Sequence, residues 1–301
     1  MDNLVIRCTE TPNLVELIQF IQGIEFISNN ESYVKFLSNA AKHHILAYEE
    51  DVLLGWVALI EVNPATMFLF EWHPFVVNHP NKEKIQQKLL QEAIVVTKNA
   101  NIPNLRTFVP VRKPNRDLFL TLEKLYMLSG MTKTHIQDCM VANFSKDDLK
   151  EVKLPSGMYL HNFADENKED ILNVYEQVFK DSYDDFVNSL DEKERKYWDL
   201  IGENQIPDLA VILKLNNNIV GFIGFQEEDG DYEIGPVGIL PAYRGKKLSN
   251  VLMNHVIQKL LQTGKTEVYL EVGTRNKVAI NLYNSYGFRK ISEKHGFLIK
   301  V

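Results

Sequence analysis

Cysteine is nearly absent from this chain. Cys8 and Cys139 are the only two in 301 residues, and they lie far apart, so neither a disulfide framework nor a cysteine-based zinc site is readable. That usage suits a reducing compartment. Long apolar runs are missing as well. No stretch approaches the roughly 20 apolar residues a membrane-spanning helix needs, and the opening residues, MDNLVIRCTETPN, lack the charged-then-apolar layout of a secretory leader. A soluble cytoplasmic protein with no membrane partner is the expectation. Positive charge is in short supply: 33 Lys and Arg stand against 40 Asp and Glu, a formal net charge of −7. This disfavours nucleic acid as a partner. Neither a G-x-G-x-x-G turn nor a Walker loop occurs, which removes the common nucleotide-binding readings. His43, His44, His73 and His79 show no metal-ligand spacing, so no metal is expected.

What is present is an ordinary globular composition, 45% apolar and 24% charged, long enough for two domains. The polar stretch 143–157, with Pro155 and Gly157, is the best linker, which divides the chain into 1–150 and 151–301. The halves repeat one plan. Strand-like runs at 45–48 and 52–62 flank the acidic turn Glu49-Glu50-Asp51, as 209–215 and 219–225 flank Asn216-Asn217-Asn218. Gly55-Trp56 then corresponds to Gly221-Phe222. An apolar strand follows in each half (68–77; 232–239), then a helix with an apolar stripe: Ile85, Leu89, Ala93 and Val96 in one, Leu248, Val251, Leu252, Val256 and Leu260 in the other. Next come strands at 105–111 and 266–272, helices stopped at Gly130 and Gly287, and closing strands near 134–141 and 297–301.

The halves differ at one place. After Ile239 the second half turns at Pro241 and runs Tyr243-Arg244-Gly245-Lys246-Lys247-Leu248-Ser249 into its helix. A strand that empties through a Gly/Lys/Arg loop into a helix N-terminus offers unpaired N–H groups, a favourable dipole and full positive charges to an anion, with a diphosphate as the natural guest. Taken alone, such a charge cluster is usually a solvated turn. The strong amphipathic helix directly behind it favours the anion site. The first half reads Val77-Asn78-His79-Pro80-Asn81-Lys82-Glu83-Lys84 there, without glycine and with an acid.

This loop resembles the acyl-CoA-binding core of the GNAT family, the Gcn5-related N-acetyltransferases. Lys247 stands where the pattern's second glycine is expected, and Ser249 at the final small position. A second family signature, Asn-x-x-Ala-x-x-Leu-Tyr-x-x-x-Gly-Phe, is complete in Asn276, Ala279, Leu282, Tyr283, Gly287 and Phe288. The resemblance implies an α/β (α+β) fold of two tandem GNAT-like domains, each a mixed, mostly antiparallel twisted sheet flanked by helices, the first degenerate and the second active. It implies acetyl-CoA (coenzyme A) as the cofactor and transfer of an acetyl group to a small-molecule or peptide amine by direct attack in a ternary complex. The implied cofactor contacts are the main chain of Val237, Gly238 and Ile239, the loop Arg244, Gly245, Lys246, Lys247, Leu248 and Ser249, and Asn276, which also reads as a helix N-cap. A Lys at position 247 donates its N–H to such a ligand if its backbone is right-handed.

Tyr283 is the implied acid for the leaving thiolate. On its own it would read as a core tyrosine, and the surrounding signature reverses that; Tyr286 reads as core. Gly235-Pro236 inside a strand argues for a bulge or an unpaired edge. For the general base, Glu233 is the first choice, on the strand leading to the thioester, with Glu271 second and Glu227 and Glu228 third. Acids at Asp181, Asp184 and Asp185 would attract a cationic amine, but a solvated helix face is the stronger reading. His255 reads as packing. A homodimer stays open, as does a non-catalytic acyl-CoA-binding or interaction module that keeps only the GNAT shape.

Overall fold

The computed structural model describes residues 3–24, 30–180, 182–197, 205–228 and 230–301. The first half carries β1 (Leu4–Thr9), α1 (Leu14–Ile21), α2 (Asn30–Ala40), β2 (His43–Glu49), β3 (Val52–Asn63), β4 (Thr66–Leu69), β5 (Phe75–Val76), α3 (Lys82–Asn99), β6 (Asn104–Val111), α4 (Arg116–Leu128) and β7 (Thr132–Asn143). The second carries β8 (Met158–Asn162), α5 (Lys168–Phe179), α6 (Asp185–Ser189), α7 (Glu192–Tyr197), β9 (Val211–Leu215), β10 (Asn218–Glu228), β11 (Asp231–Ile239), α8 (Leu248–Gln262), β12 (Glu267–Gly273), α9 (Lys277–Asn284) and β13 (Arg289–Lys300). Two compact units result. One comprises Met1–His135, Glu192–Tyr197 and Lys294–Val301; the other comprises Ile136–Asp191 and Trp198–Glu293. The polar stretch at 143–157 falls inside the second unit.

In the first unit the sheet runs β1-β2-β3-β4-β6. The β2–β3 hairpin turns at Glu50 and Asp51, both with positive φ (51° and 65°), the geometry that matches the twist of the flanking strands. The expected strand at 68–77 is two pieces. β4 stops at Leu69 and β5 resumes at Phe75 against β3. Between them Trp72 takes a positive φ of 66°, and Pro74 has no N–H for a ladder. Gly55 pairs with Val76, and a Cβ there would stand 2.7 Å from Leu89; the glycine is what lets α3 approach the sheet.

The closing strand expected at 134–141 is longer and pairs elsewhere. From Gln137 to Asn143, β7 runs antiparallel to β12 of the second unit. Residues 294–301 belong to the first unit, where the Val301 N–H donates to the Pro103 carbonyl at 2.9 Å. An alternating apolar pattern fixes which face of a strand is buried but not which edge it joins.

The second unit's sheet runs β7-β12-β11-β10-β9-β8. Its hairpin repeats the first: Asn216 and Asn217 turn with positive φ (49° and 69°), and Gly221 pairs with Ile239 as Gly55 pairs with Val76. Tyr286 is core, its hydroxyl donating to Asn250 O (3.2 Å) and Asn254 Oδ1 (3.1 Å). His255 Nε2 lies 3.0 Å from Asp208 O, a packing role.

The first unit buries charge. Arg106, in register with Phe68 where β4 and β6 pair, donates to Glu194 of α7 from Nε (2.5 Å) and Nη2 (2.7 Å), and Thr66 Oγ1 adds 3.1 Å; both charged side chains are fully buried. Removing one partner strands the other charge, so Glu194→Ala is expected to lower stability by about 3–5 kcal/mol, read as a drop in the denaturant midpoint at constant m-value. The same unit holds two histidines that burial keeps neutral, His73 with a pKa lowered to about 3 and His44 to about 4. Their folded pKa values lie below the unfolded value of about 6.5, so the unfolded chain binds more protons as pH falls. Stability is expected to hold above pH 6.5 and to fall between 6.5 and 3, a slope that His44→Gln and His73→Gln should flatten in pH-dependent unfolding.

Candidate functional site

The site of the second unit begins with a strand defect. Opposite β10, the register steps from Ile223↔Val237 to Phe225↔Ile234, so β11 holds one extra residue at Gly235-Pro236, the expected bulge. On its other side β11 pairs with β12 at a single register, Glu233↔Tyr269. Beyond it the two parallel strands part, leaving the β12-facing edge of residues 234–239 open. A Cβ on Gly238 would stand 2.6 Å from Val178 of α5, so only glycine lets that helix pack onto this end of the strand.

Leu240 to Arg244 form a short turn in which Tyr243 N donates to Leu240 O (2.9 Å) and Arg244 N to Pro241 O (3.2 Å). From there to α8, the N–H groups of residues 245–249 have no hydrogen-bond partner among the described residues. Gly245 has φ 76° and Lys247 φ 58°. These two left-handed residues swing the chain so that free donors precede a 15-residue helix held down by Leu248, Leu252, Val256 and Leu260, where the helix dipole adds to them.

Lys247 is left-handed rather than right-handed, so it adopts the conformation of the glycine it replaces, at some strain. Arg244 is held by the main chain: Nε donates to Ile239 O (3.1 Å) and Nη2 to Val178 O (2.9 Å). It fastens the loop to the end of β11 and to α5, and its own N–H belongs to the turn. Lys246 lies 5.3 Å over the Tyr243 ring.

The second signature folds as a capped helix. Asn276 Oδ1 accepts the Ala279 N–H at 3.1 Å at the start of α9. Tyr283 is 7% exposed, its ring edge-on to Phe288 at 5.7 Å, and its hydroxyl makes no hydrogen bond with described residues. Burial, and then the charge of Asp184, push its pKa up, so it keeps its proton at neutral pH. Asp184 is half-buried, with its pKa raised by desolvation, and it caps α6 by accepting the Val187 N–H at 3.1 Å. Asp185 pairs with Arg275, whose Nε lies 2.8 Å away. These two acids serve the helix and an ion pair; Asp181 lies outside the described residues.

Glu233 and Glu271, the first and second choices for a base, line one cavity of about 280 Å³ together with Asp231, Tyr269 and Cys139. Glu271 sits opposite Cys139 across the β12–β7 ladder, and Cys139 Sγ lies 3.8 Å from Glu271 Oε1. Nothing in the sequence linked these two residues, 132 positions apart. Tyr283 and the loop 244–249 are not among the residues lining this cavity. Glu227 lies on β10, outside it, and is exposed.

Residues 172–288 match the family model described as the acetyltransferase (GNAT) family. That stretch of the second half is a GNAT domain. A sequence relative described as an uncharacterized N-acetyltransferase of Methanocaldococcus jannaschii is 24% identical over 149 residues, 47% of this chain and 65% of that protein. The chain spans 32%, 62% and 65% of the length of the first curated relatives it matches. Two solved structures share the fold across its whole length. A GCN5-related N-acetyltransferase from Sphaerobacter thermophilus has a TM-score of 0.62 at 15% identity, covering 100% of this chain and 96% of that one. A tandem GNAT protein from the clavulanic acid biosynthesis pathway has a TM-score of 0.62 at 12% identity, covering 99% and 98%. The mixed α/β, mostly antiparallel architecture is that of the tandem GNAT fold.

In this GNAT domain the left-handed lysine is directly testable. Lys247→Gly is expected to raise stability by roughly 0.5–1 kcal/mol, the relief of left-handed strain less glycine's larger loss of chain freedom. Unfolding midpoints of the two proteins read the difference.

Proposed function

We propose that the second unit transfers an acetyl group from acetyl-CoA to an amine. GNAT proteins generally take this donor, and the chain's own residues fit it. The observation that carries the reading is the run of free N–H groups at 245–249, set at the N-terminus of α8 beside the open edge of β11. Those donors would bind the diphosphate, with Lys246 and Lys247 adding charge. The main chain of Val237, Gly238 and Ile239 would align the extended amide-bearing arm as a further strand, while Asn276 holds the start of α9. Acetyl-CoA would supply the thioester.

Glu233, or Glu271 beside it, would take the proton from the substrate ammonium, since an alkylammonium is mostly charged at neutral pH. The neutral amine would then attack the acyl carbon directly within a ternary complex, the N–C bond forming as the C–S bond breaks, and the second proton lost from the nitrogen would replace the one Tyr283 gives up. Tyr283, buried and protonated, would give its proton to the departing thiolate. The three carboxylates of the cavity favour a cationic acceptor, either a small-molecule amine or a peptide amine.

A second reading, an acyl-CoA-binding module without turnover, draws on Tyr283 lying outside the lining of the carboxylate cavity. Calorimetry with acetyl-CoA followed by thiol-release assays over a panel of polyamines, aminoglycosides and peptides separates the two. The catalytic reading expects saturable binding and thiol release, with Tyr283→Phe lowering kcat by about 100-fold at unchanged acetyl-CoA affinity. Binding without release across the panel supports the module, and no binding at all removes both.

A further inference from the structure

A cleft larger than the carboxylate cavity lies away from these motifs. It lies wholly within the first unit, measures about 970 Å³, and is walled by Trp72, Phe75, Val76, Leu118 and Leu122 beside the start of α3. It sits where the repeat places that unit's counterpart of the basic loop, but the loop here keeps fewer N–H groups free for an anion. Pro80 has no N–H, Asn81 N donates to His79 Nδ1 (3.1 Å), and Lys82 N donates to His79 O (3.0 Å).

Two side chains nevertheless face the cleft with unmet capacity. Gln86 is 9% exposed. Its amide nitrogen donates to Pro74 O at 3.3 Å, while its Oε1 has no partner among the described residues. That oxygen can only accept, so the ligand must bring a hydrogen-bond donor, as an amide N–H does. Lys82, half-buried one helical turn earlier, pairs with no acid among the described residues. Residues four apart on a helix stand about 6 Å apart on one face, so an anion site and an acceptor site lie a short span from each other, against an aromatic and aliphatic wall. Lys82, Glu83 and Lys84 leave a net charge of one at the rim, which suits a monoanion.

We propose that the first unit's cleft binds an N-acylated amino acid with an apolar side chain. Its carboxylate pairs with Lys82, its amide N–H donates to Gln86 Oε1, and its side chain lies against Trp72, Phe75 and Leu122. A carboxylate one carbon from an N–H is the compact group that meets both side chains at once. A free amino acid presents a full positive charge beside Lys82 instead. The proposal does not depend on acetyl transfer in the second unit.

Titration calorimetry of the full chain with N-acetyl-L-phenylalanine tests it. One saturable site per chain is expected, weakened by about tenfold or more when the ligand's carboxylate is replaced by a carboxamide, and by a similar factor in Lys82→Ala and Gln86→Leu. Leu118→Trp, which fills the cleft, should abolish binding. Lys82→Ala removes an unpartnered side chain, so an unchanged Tm there keeps the result readable if Gln86→Leu fails to fold. No saturable binding, equal affinity for the carboxamide, or unchanged affinity in Lys82→Ala overturns the proposal. So does displacement of the probe by coenzyme A in wild type but not in Lys82→Ala, which would make the cleft a nucleotide site.

Discussion

After Glu233 and Tyr269, two parallel strands stop pairing, and the second unit's candidate site follows from that parting. A strand edge inside a domain normally has its N–H and C=O groups matched by a neighbour, because a buried unpaired backbone group costs free energy. Here the edge of β11 stays open from residue 234 on. The bulge at Gly235-Pro236 re-aims the strand, Gly238 admits α5 against it, and the Arg244 guanidinium clamps strand end and helix end together. The five free donors that follow depend on that clamp, because a loop with unpaired N–H groups keeps its shape only if something else holds it.

The first unit shows the same parallel pair treated differently. β4 and β6 pair over three registers, Thr66↔Asn104 to Phe68↔Arg106, and the buried Arg106–Glu194 ion pair with Thr66 lies at that position. A fully desolvated ion pair persists because each charge makes the other tolerable and each oxygen has a donor. In the loop into α3, His79 accepts the Asn81 and Lys82 N–H groups, and Pro80 has none to give. One repeat thus leaves a run of donors free, and the other spends two of its own on His79 while its cleft stays open beside Gln86 and Lys82.

Roles also moved between neighbours. Arg244 reads as the natural anion ligand of a basic loop, yet it is a fastener; the N–H groups after it are the free donors. Lys247 reads as a departure from a glycine pattern, yet its backbone takes the glycine's left-handed geometry. In both cases side-chain charge was the visible signal, whereas the property available to a ligand belongs to the main chain, which residue identity constrains only loosely.

The sequence alone determined what depends on local chemistry. The Asn216-Asn217 and Glu50-Asp51 turns, the stripes of α3 and α8, the Asn276 cap, the glycine stops and the bulge at Gly235-Pro236 each follow from neighbours within a few residues. The duplication was legible for the same reason, since two copies share the same local signals. Only the tertiary structure decided which edge β7 joins, that Glu194 meets Arg106 across 88 residues, that Cys139 stands opposite Glu271, and that Asp184 raises the pKa of Tyr283. Those relations join residues far apart in the chain, and periodicity carries no information about them, because a strand's pattern records which face is buried and not which strand lies beside it.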